Sequence, residues 1–183
     1  MADNHLTETG LEHERVFDGK LLSVRRDRIR LPDGGTAMRE FVVHPGAALI
    51  VAELADGRLI LERQYRYPVG RVILEFPAGK LDAGETALAT AQRELFEEAG
   101  YTAKRWIPIG TLHPNVGYST ETIDIFLAQE LTHVGAKLDD GEFLDVLMKS
   151  EAELVDAFDR GELTDGKSIA ALFAWQRYSA KTR

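Results

Sequence analysis

The amino-acid sequence predicts an α+β domain that carries a small antiparallel β-sheet at its N-terminal end. Strand-like patterns crowd the first half of the chain, residues typical of turns separate them, and helical spacing takes over near the C-terminus. A chain of 183 residues with 44% hydrophobic content is long enough to bury a core, and one main domain is expected. We therefore expect a β appendage at residues 1–45 and the main domain at residues 46–183.

The N-terminal elements are predicted as strands with one face in water. Residues 17–31 space apolar side chains among arginines, which is typical of half-exposed strands. Residues 32–35, Pro-Asp-Gly-Gly, predict a turn, and residues 39–44 predict a returning strand. Together these segments indicate the small antiparallel sheet.

The next elements are predicted to be central strands, because two strongly apolar runs follow at residues 47–54 and 59–64. The four residues between them, Ala-Asp-Gly-Arg, favour a hairpin turn. Residues 71–76 continue the β pattern, and Pro-Ala-Gly at 77–79 ends it. Further strands are predicted at residues 106–112, 122–128 and 144–148.

Three helices complete the predicted order. The first covers residues 86–99, where four side chains share one face at helical spacing: Leu88, Ala91, Leu95 and Ala99. The second opens with a capping box formed by Ser150 and Glu153 and runs to about Arg160, where Gly161 supplies a stop. The third covers residues 168–178.

Charge and composition exclude several classes of function. The formal net charge of −8 argues against a protein that binds a nucleic-acid backbone. An acidic protein that acts on phosphates needs metal ions to offset the repulsion. Cysteine is absent, which excludes disulfides and thiolate zinc sites, and no signal-peptide or membrane-spanning run is found. We expect a cytoplasmic protein without membrane or nucleic-acid partners.

The chemistry is concentrated in residues 79–101, GKLDAGETALATAQRELFEEAGY. Glu94 and Glu98 are four residues apart on the predicted helix and share a face, with Glu97 on its flank. Carboxylates this close repel one another unless cations intervene, and oxygen ligands without His or Cys favour Mg²⁺ or Mn²⁺ over zinc. Arg93 is expected to anchor the junction between loop and helix by pairing with a carboxylate such as Glu85. The alternative is an ordinary solvated acidic helix face.

The full spacing resembles the Nudix box, G-x5-E-x7-R-E-U-x-E-E-x-G-U, at every defined position, with Tyr101 where an aliphatic residue is usual. The resemblance implies the Nudix fold, in which a mixed β-sheet is sandwiched between helices. It also implies that the metal ligands are the Ala78 carbonyl, Glu94 and Glu98, assisted by Glu97. The general base would come from the acidic loop at residues 139–142, with Glu142 as the first choice and Asp140 as the second.

Three further stretches, residues 31–47, 63–79 and 113–121, are similar to the ADP-ribose pyrophosphatase branch, although Val116 stands where a proline is frequent. The resemblance implies Mg²⁺-dependent cleavage of ADP-ribose or a related nucleoside diphosphate sugar into AMP and ribose 5-phosphate. It also implies a homodimer in which the appendage completes the partner's nucleotide pocket. The candidate substrate contacts are Phe17, Arg63, Arg66, Tyr118 and Glu121. Glu75 is a candidate for the wall of the site, with a water-facing carboxylate as the alternative.

Other functions share parts of these patterns. GDP-mannose, NADH or modified nucleoside triphosphate hydrolases carry the same box, and a non-catalytic module that senses ADP-ribose keeps the same fold. Residues 161–168, GELTDGKS, match the phosphate-binding loop pattern letter for letter. Because this segment follows a helix and not a strand, it is interpreted as a turn between helices.

Overall fold

The computed structural model describes residues 3–138 and 141–182, which form ten strands and three helices. The strands are β1 Thr9–Asp18, β2 Ser23–Arg30, β3 Thr36–Val43, β4 Ala47–Glu53, β5 Leu59–Arg66, β6 Arg71–Glu75, β7 Ala78–Lys80, β8 Tyr101–Leu112, β9 Ile123–His133 and β10 Leu144–Lys149. The helices are α1 Ala87–Glu97, α2 Glu151–Asp159 and α3 Gly166–Thr182. The chain separates into two compact units: the residues up to Pro45 with Asn115–Thr122, and Gly46–Pro114 with the residues from Ile123 onward.

The first unit contains the three-stranded antiparallel sheet that the sequence predicts, in the order β1-β2-β3. The loop Asn115–Thr122 adds to it through a short parallel bridge, in which Val42 N donates to Tyr118 O over 2.9 Å. β1 begins at Thr9, well before the predicted strand region. Almost all its side chains are exposed, so it lacks the apolar alternation that would reveal a strand.

The second unit is built on a mixed sheet whose main path runs β10-β5-β4-β9-β8, with β6 beside β5 and β7 beside β4. β4 runs parallel to β9 and antiparallel to β5 and β7. The predicted hairpin between β4 and β5 is confirmed, but only two residue pairs join these strands before they diverge. The three-residue strand β7 forms where the sequence predicts only the end of a strand.

Helices cover both faces of this sheet, as the Nudix fold predicts. Alternate residues of β4 point to opposite faces, so Leu49 and Val51 join one buried cluster while Ala48 and Ile50 join the other. The first cluster also contains residues from α2 and α3, and the second contains Ala91, Leu95 and Ala99 from α1 and its end. The sheet is therefore a middle layer between α1 and the α2–α3 pair.

The helix ends follow the predicted chemistry. The capping box at Ser150 is present, because its side chain accepts from Glu153 N while the Glu153 carboxylate accepts from Ser150 N. The segment that matches the phosphate-binding pattern is the predicted turn between α2 and α3. Within it, Ser168 Oγ donates to Asp165 over 2.6 Å and accepts from Phe76 N over 2.9 Å. Within the described residues, no helix combines the length and apolar character needed to cross a membrane.

The four residues that share a face of α1 at helical spacing differ in burial: Leu88 is 39% exposed, whereas Ala91, Leu95 and Ala99 are buried. Leu88 lies in the first turn, where the neighbouring Ala87 packs against the sheet cluster and Leu88 does not. The buried part of the face therefore begins at Thr90 and Ala91.

This difference can be measured. Leu95→Ala removes a fully buried side chain and is expected to lower the free energy of unfolding by about 3 kcal/mol. Leu88→Ala is the matched control and is expected to lower it by less than about 1 kcal/mol. Equilibrium unfolding in urea compares the two variants with the parent, and equal losses would contradict the packing of α1 described here.

Candidate active site

Helix α1 and strand β7 bring two carboxylates to the same stretch of backbone. Glu98 Oε2 accepts a hydrogen bond from Ala78 N over 3.1 Å. Glu94 lies against the next residue, since a Cβ atom on Gly79 would stand 1.6 Å from Glu94 Oε1. Only glycine at position 79 leaves room for this carboxylate. Glu94 and Glu98 therefore converge on Ala78–Gly79, as their helical spacing predicts.

Arg93 anchors the loop that precedes α1, as predicted. Its Nε donates to Glu85 Oε1 over 3.2 Å and its Nη2 to Glu85 Oε2 over 3.1 Å. The same guanidinium holds two motif carboxylates through Nη1, at 2.8 Å from Glu94 Oε1 and 3.0 Å from Glu97 Oε2. Hydrogen bonds from Arg93 are the main cause that lowers the pKa of Glu85 to about 2, so Glu85 is ionised at neutral pH.

A buried acidic pair lies beside this junction. Glu98 is 4% exposed and Glu62, on β5, is 1% exposed. Burial is the main cause that raises the pKa of both carboxyls; the charge of Glu62 adds to the rise at Glu98, and that of Glu75 adds to the rise at Glu62. Burial likewise raises the pKa of Glu94. The site thus concentrates acidic groups where water does not stabilise their charged form.

Glu62 is absent from the residues that the sequence singles out. It directly follows the apolar run Leu59–Leu61 and carries no motif spacing, so its sequence context is that of an ordinary strand end. Neither of its carboxylate oxygens has a hydrogen-bond partner in the described part of the chain, although both are buried. The sequence offers one signal for Glu62: a charged residue directly continues the apolar run of a buried strand.

These donors fit a divalent cation. Buried carboxylates that repel one another are stabilised by a positive charge, and the unpartnered Glu62 oxygens leave acceptor capacity for it. All the donors are oxygens, which favours Mg²⁺ or Mn²⁺. Across residues 3–138 and 141–182, no three His, Asp or Glu side chains already form a metal cage. The contacts of Arg93 with Glu94 and Glu97 are one physical reason.

The predicted base Glu142 lines a cavity of about 420 Å³ in the second unit. The cavity is lined by Arg63, Tyr65, Val72, Leu138, Glu142, Phe143, Leu144 and Asp145. The charge of Glu142 contributes to the raised pKa of Glu94 and of Glu98, which places it within electrostatic reach of the motif carboxylates. The second choice, Asp140, lies outside the described residues.

Two of the predicted contacts with substrate are arginines on β5. Arg63 lies on the wall of that cavity, with Nη1 3.9 Å from Asp145 Oδ2. Arg66 Nε donates to Glu75 Oε1 over 2.7 Å, and Lys167 Nζ also binds Glu75. Glu75 is 1% exposed, so it does not face water. Arg66 is therefore held in place by a buried carboxylate while part of its side chain remains accessible.

The other predicted contacts belong to the first unit. Phe17, at the end of β1, is exposed and lies beside Gly19. The Tyr118 hydroxyl donates to Asn115 Oδ1 over 2.7 Å, and Tyr118 lines a cavity of about 560 Å³ within this unit. Glu121 Oε1 lies 3.9 Å from His44 Nε2. Aromatic and acidic side chains are thus available at the surface of this unit.

Comparisons with known proteins agree with this architecture. The NUDIX domain family matches residues 43–172, and the nucleoside diphosphate sugar hydrolase N-terminal domain family matches residues 8–42. ADP-ribose pyrophosphatase of Bacillus subtilis (strain 168) is 37% identical over 169 residues, covering 91% of each chain. ADP-ribose pyrophosphatase of Mycobacterium tuberculosis (strain ATCC 25618 / H37Rv) is 38% identical over 167 residues, covering 90% of this chain and 81% of its own.

A solved structure agrees as well. The crystal structure of ADP compounds hydrolase superposes with a TM-score of 0.86 at 26% sequence identity and covers 97% of each chain. The resemblance inferred from the motif is therefore confirmed along the chain. Because the match to the NUDIX domain family spans most of the chain, this chain belongs to the NUDIX family and is a Nudix hydrolase.

Proposed function

We propose that the chain hydrolyses the diphosphate linkage of ADP-ribose, or of a related nucleoside diphosphate sugar, in a Mg²⁺-dependent reaction. With ADP-ribose the products are AMP and ribose 5-phosphate. The observation that carries the proposal is the convergence of Glu94 and Glu98 on Ala78–Gly79 within a buried acidic cluster. The substrate class is supported by the match of residues 8–42 and by the names of the two ADP-ribose pyrophosphatases.

Nudix hydrolases use divalent cations, and the residues of the motif suit one. The Ala78 carbonyl, Glu94 and Glu98 would hold it, with Glu97 assisting once its contact with Arg93 gives way. A bound Mg²⁺ supplies charge neutralisation of the diphosphate and activation of water. Gly79 contributes by allowing Glu94 to lie against the β7 backbone.

The proton transfer and the orientation of the phosphates are assigned to other side chains. Glu142 accepts the proton of the water that attacks one phosphorus, and Asp140 is the alternative base. Arg63 and Arg66 offer forked guanidinium donors to the phosphate oxygens. Since Glu75 already fixes Arg66 Nε, this arginine loses little side-chain freedom when it binds a phosphate.

The nucleotide end of the substrate is assigned to Phe17, Tyr118 and Glu121. The two aromatic rings offer faces for stacking on the base, and Glu121 offers an acceptor for hydroxyl or amino groups. We further propose that the appendage at residues 1–45 crosses to a second copy of the chain in a homodimer and completes its pocket. β1 supports this role, because it is an edge strand with the exposed apolar residues Val16 and Phe17.

The substrate prediction is tested by a turnover assay with ADP-ribose, GDP-mannose, NADH and a modified nucleoside triphosphate, each with Mg²⁺ or with EDTA. We expect ADP-ribose or a close relative to be cleaved fastest, and only with the metal, because the reaction needs the cation to activate water and to offset the charge on the diphosphate. Chromatography identifies AMP and ribose 5-phosphate. Preference for another substrate would overturn the substrate assignment, and binding without turnover would indicate the sensor.

The ligand assignment is tested by Glu98→Gln. We expect kcat to fall by roughly a hundredfold or more, since an amide does not replace a carboxylate ligand. The fold is expected to persist, because glutamine has the same shape and avoids the cost of burying an ionisable carboxyl. Circular dichroism checks the fold, and Asp156→Asn on the exposed face of α2 removes one charge as a control without loss of activity. A fully active Glu98→Gln enzyme would rule out the ligand role.

The oligomeric state is tested by analytical ultracentrifugation together with Phe17→Asp. We expect the parent to sediment as a dimer and the variant to shift toward the monomer, because the charge is placed on the exposed apolar surface of the edge strand. Loss of activity should accompany the shift. A stable monomer with full activity would contradict the crossing of the appendage.

A further inference from the structure

We infer that Glu62, which lies outside the Nudix motif, is an additional carboxylate ligand of the divalent cation assigned to Glu94 and Glu98. The inference rests on the metal-dependent function proposed above and adds a residue from the sheet to a site otherwise formed by α1 and β7. Its cation class is the same, because the added donors are also carboxylate oxygens.

The alternation of β5 places Glu62 on the side of α1. Ile60 belongs to the cluster that contains Leu95 of α1, whereas Leu59 and Leu61 belong to the opposite cluster. Glu62 follows Ile60 by two residues and shares its face. Glu98 follows Leu95 by about one turn of α1. The charge of Glu62 is, after burial, the largest influence that raises the pKa of Glu98, which agrees with their proximity.

The acceptor capacity of Glu62 is unused. Both of its oxygens are buried and lack a hydrogen-bond partner within residues 3–138 and 141–182. An isolated buried carboxylate is strongly unfavourable, so such a group is compensated by a cation or takes up a proton. A divalent cation compensates Glu62 and Glu98 together, whereas protonation neutralises each carboxyl separately.

Glu75 shows how the chain compensates a buried carboxylate when it uses its own residues. It stands directly opposite Glu62 on β6 and is equally buried. Arg66 and Lys167 both bind Glu75. Glu62 receives no such contact from the described residues, although it lies in the same pair of strands. The two positions differ in their partners, and the missing partner at Glu62 is the one that a metal ion supplies.

The test measures the binding of Mn²⁺ to the metal-free chain of 183 residues in the absence of substrate. Electron paramagnetic resonance and calorimetry give the affinity. The variants are Glu62→Gln, Glu62→Asp and, as a matched control, Glu75→Gln. We expect Glu62→Gln to weaken Mn²⁺ binding by roughly tenfold or more and Glu62→Asp to weaken it less. Glu75→Gln removes the same charge from the same strand pair and is expected to weaken binding by less than about threefold.

Thermal melting gives an independent readout. In EDTA, Glu62→Gln is expected to melt at a higher temperature than the parent, because it removes the cost of burying an ionisable carboxyl that has no hydrogen-bond partner among the described residues. Glu75→Gln is expected to melt lower, since it leaves Arg66 and Lys167 without their buried partner. Added Mn²⁺ should raise the melting temperature of the parent more than that of Glu62→Gln.

The outcomes separate this inference from the proposed function. Parent-like Mn²⁺ affinity in Glu62→Gln would overturn the ligand role and indicate that a proton and not a metal ion neutralises Glu62, even if ADP-ribose is cleaved. If Glu62→Gln and Glu75→Gln weaken Mn²⁺ binding equally, Glu62 acts only through its charge at a distance. That result would also overturn the ligand role. If Glu62→Gln selectively weakens Mn²⁺ binding but no nucleotide sugar is cleaved, the ligand role stands and the proposed substrate fails.

Discussion

Buried negative charge beside the central sheet is the constraint on which the rest of this structure depends. α1 packs on the sheet through Ala91 and Leu95, and this packing fixes where Glu94 and Glu98 stand. The glycine at position 79 then lets the Glu94 carboxylate reach the backbone of β7. A hydrophobic interface thus holds carboxyl groups together although their charged forms repel one another, and a bound cation would relieve that repulsion.

Arg93 resolves part of this conflict before any cation binds. Its guanidinium joins Glu85 in the loop to Glu94 and Glu97 on the helix, so ion pairs link the loop to the helix. Under the proposed function, a metal ion would compete with Arg93 for Glu94 and Glu97 but not for Glu85. Glu85 would then keep the loop anchored to the helix while the other two carboxylates turn to the metal ion.

Much of the fold follows from sequence because the core elements carry strong patterns. β4 and the start of β5 are apolar on both faces, the Ser150 capping box sets the start of α2, and the motif spacing sets α1. The misses lie where the pattern is weak. β1 lacks the alternation of apolar and polar residues that is typical of a strand, because nearly all its side chains are exposed. β7 is too short to show such an alternation. The spacing of Leu88 places it on one face with Ala91 and Leu95, but spacing alone does not show that its side chain is exposed.

The candidate site divides in the same way. Spacing along one helix predicts that Glu94 and Glu98 share a face, because four residues make about one turn. Spacing along the chain does not predict that Glu62 and Glu75 are neighbours, because they stand opposite each other only through the pairing of β5 with β6. Both are glutamates next to apolar residues, yet one binds Arg66 and Lys167 and the other binds neither. The partner decides what a buried carboxylate does, and the partner is set by strand register and not by residue type.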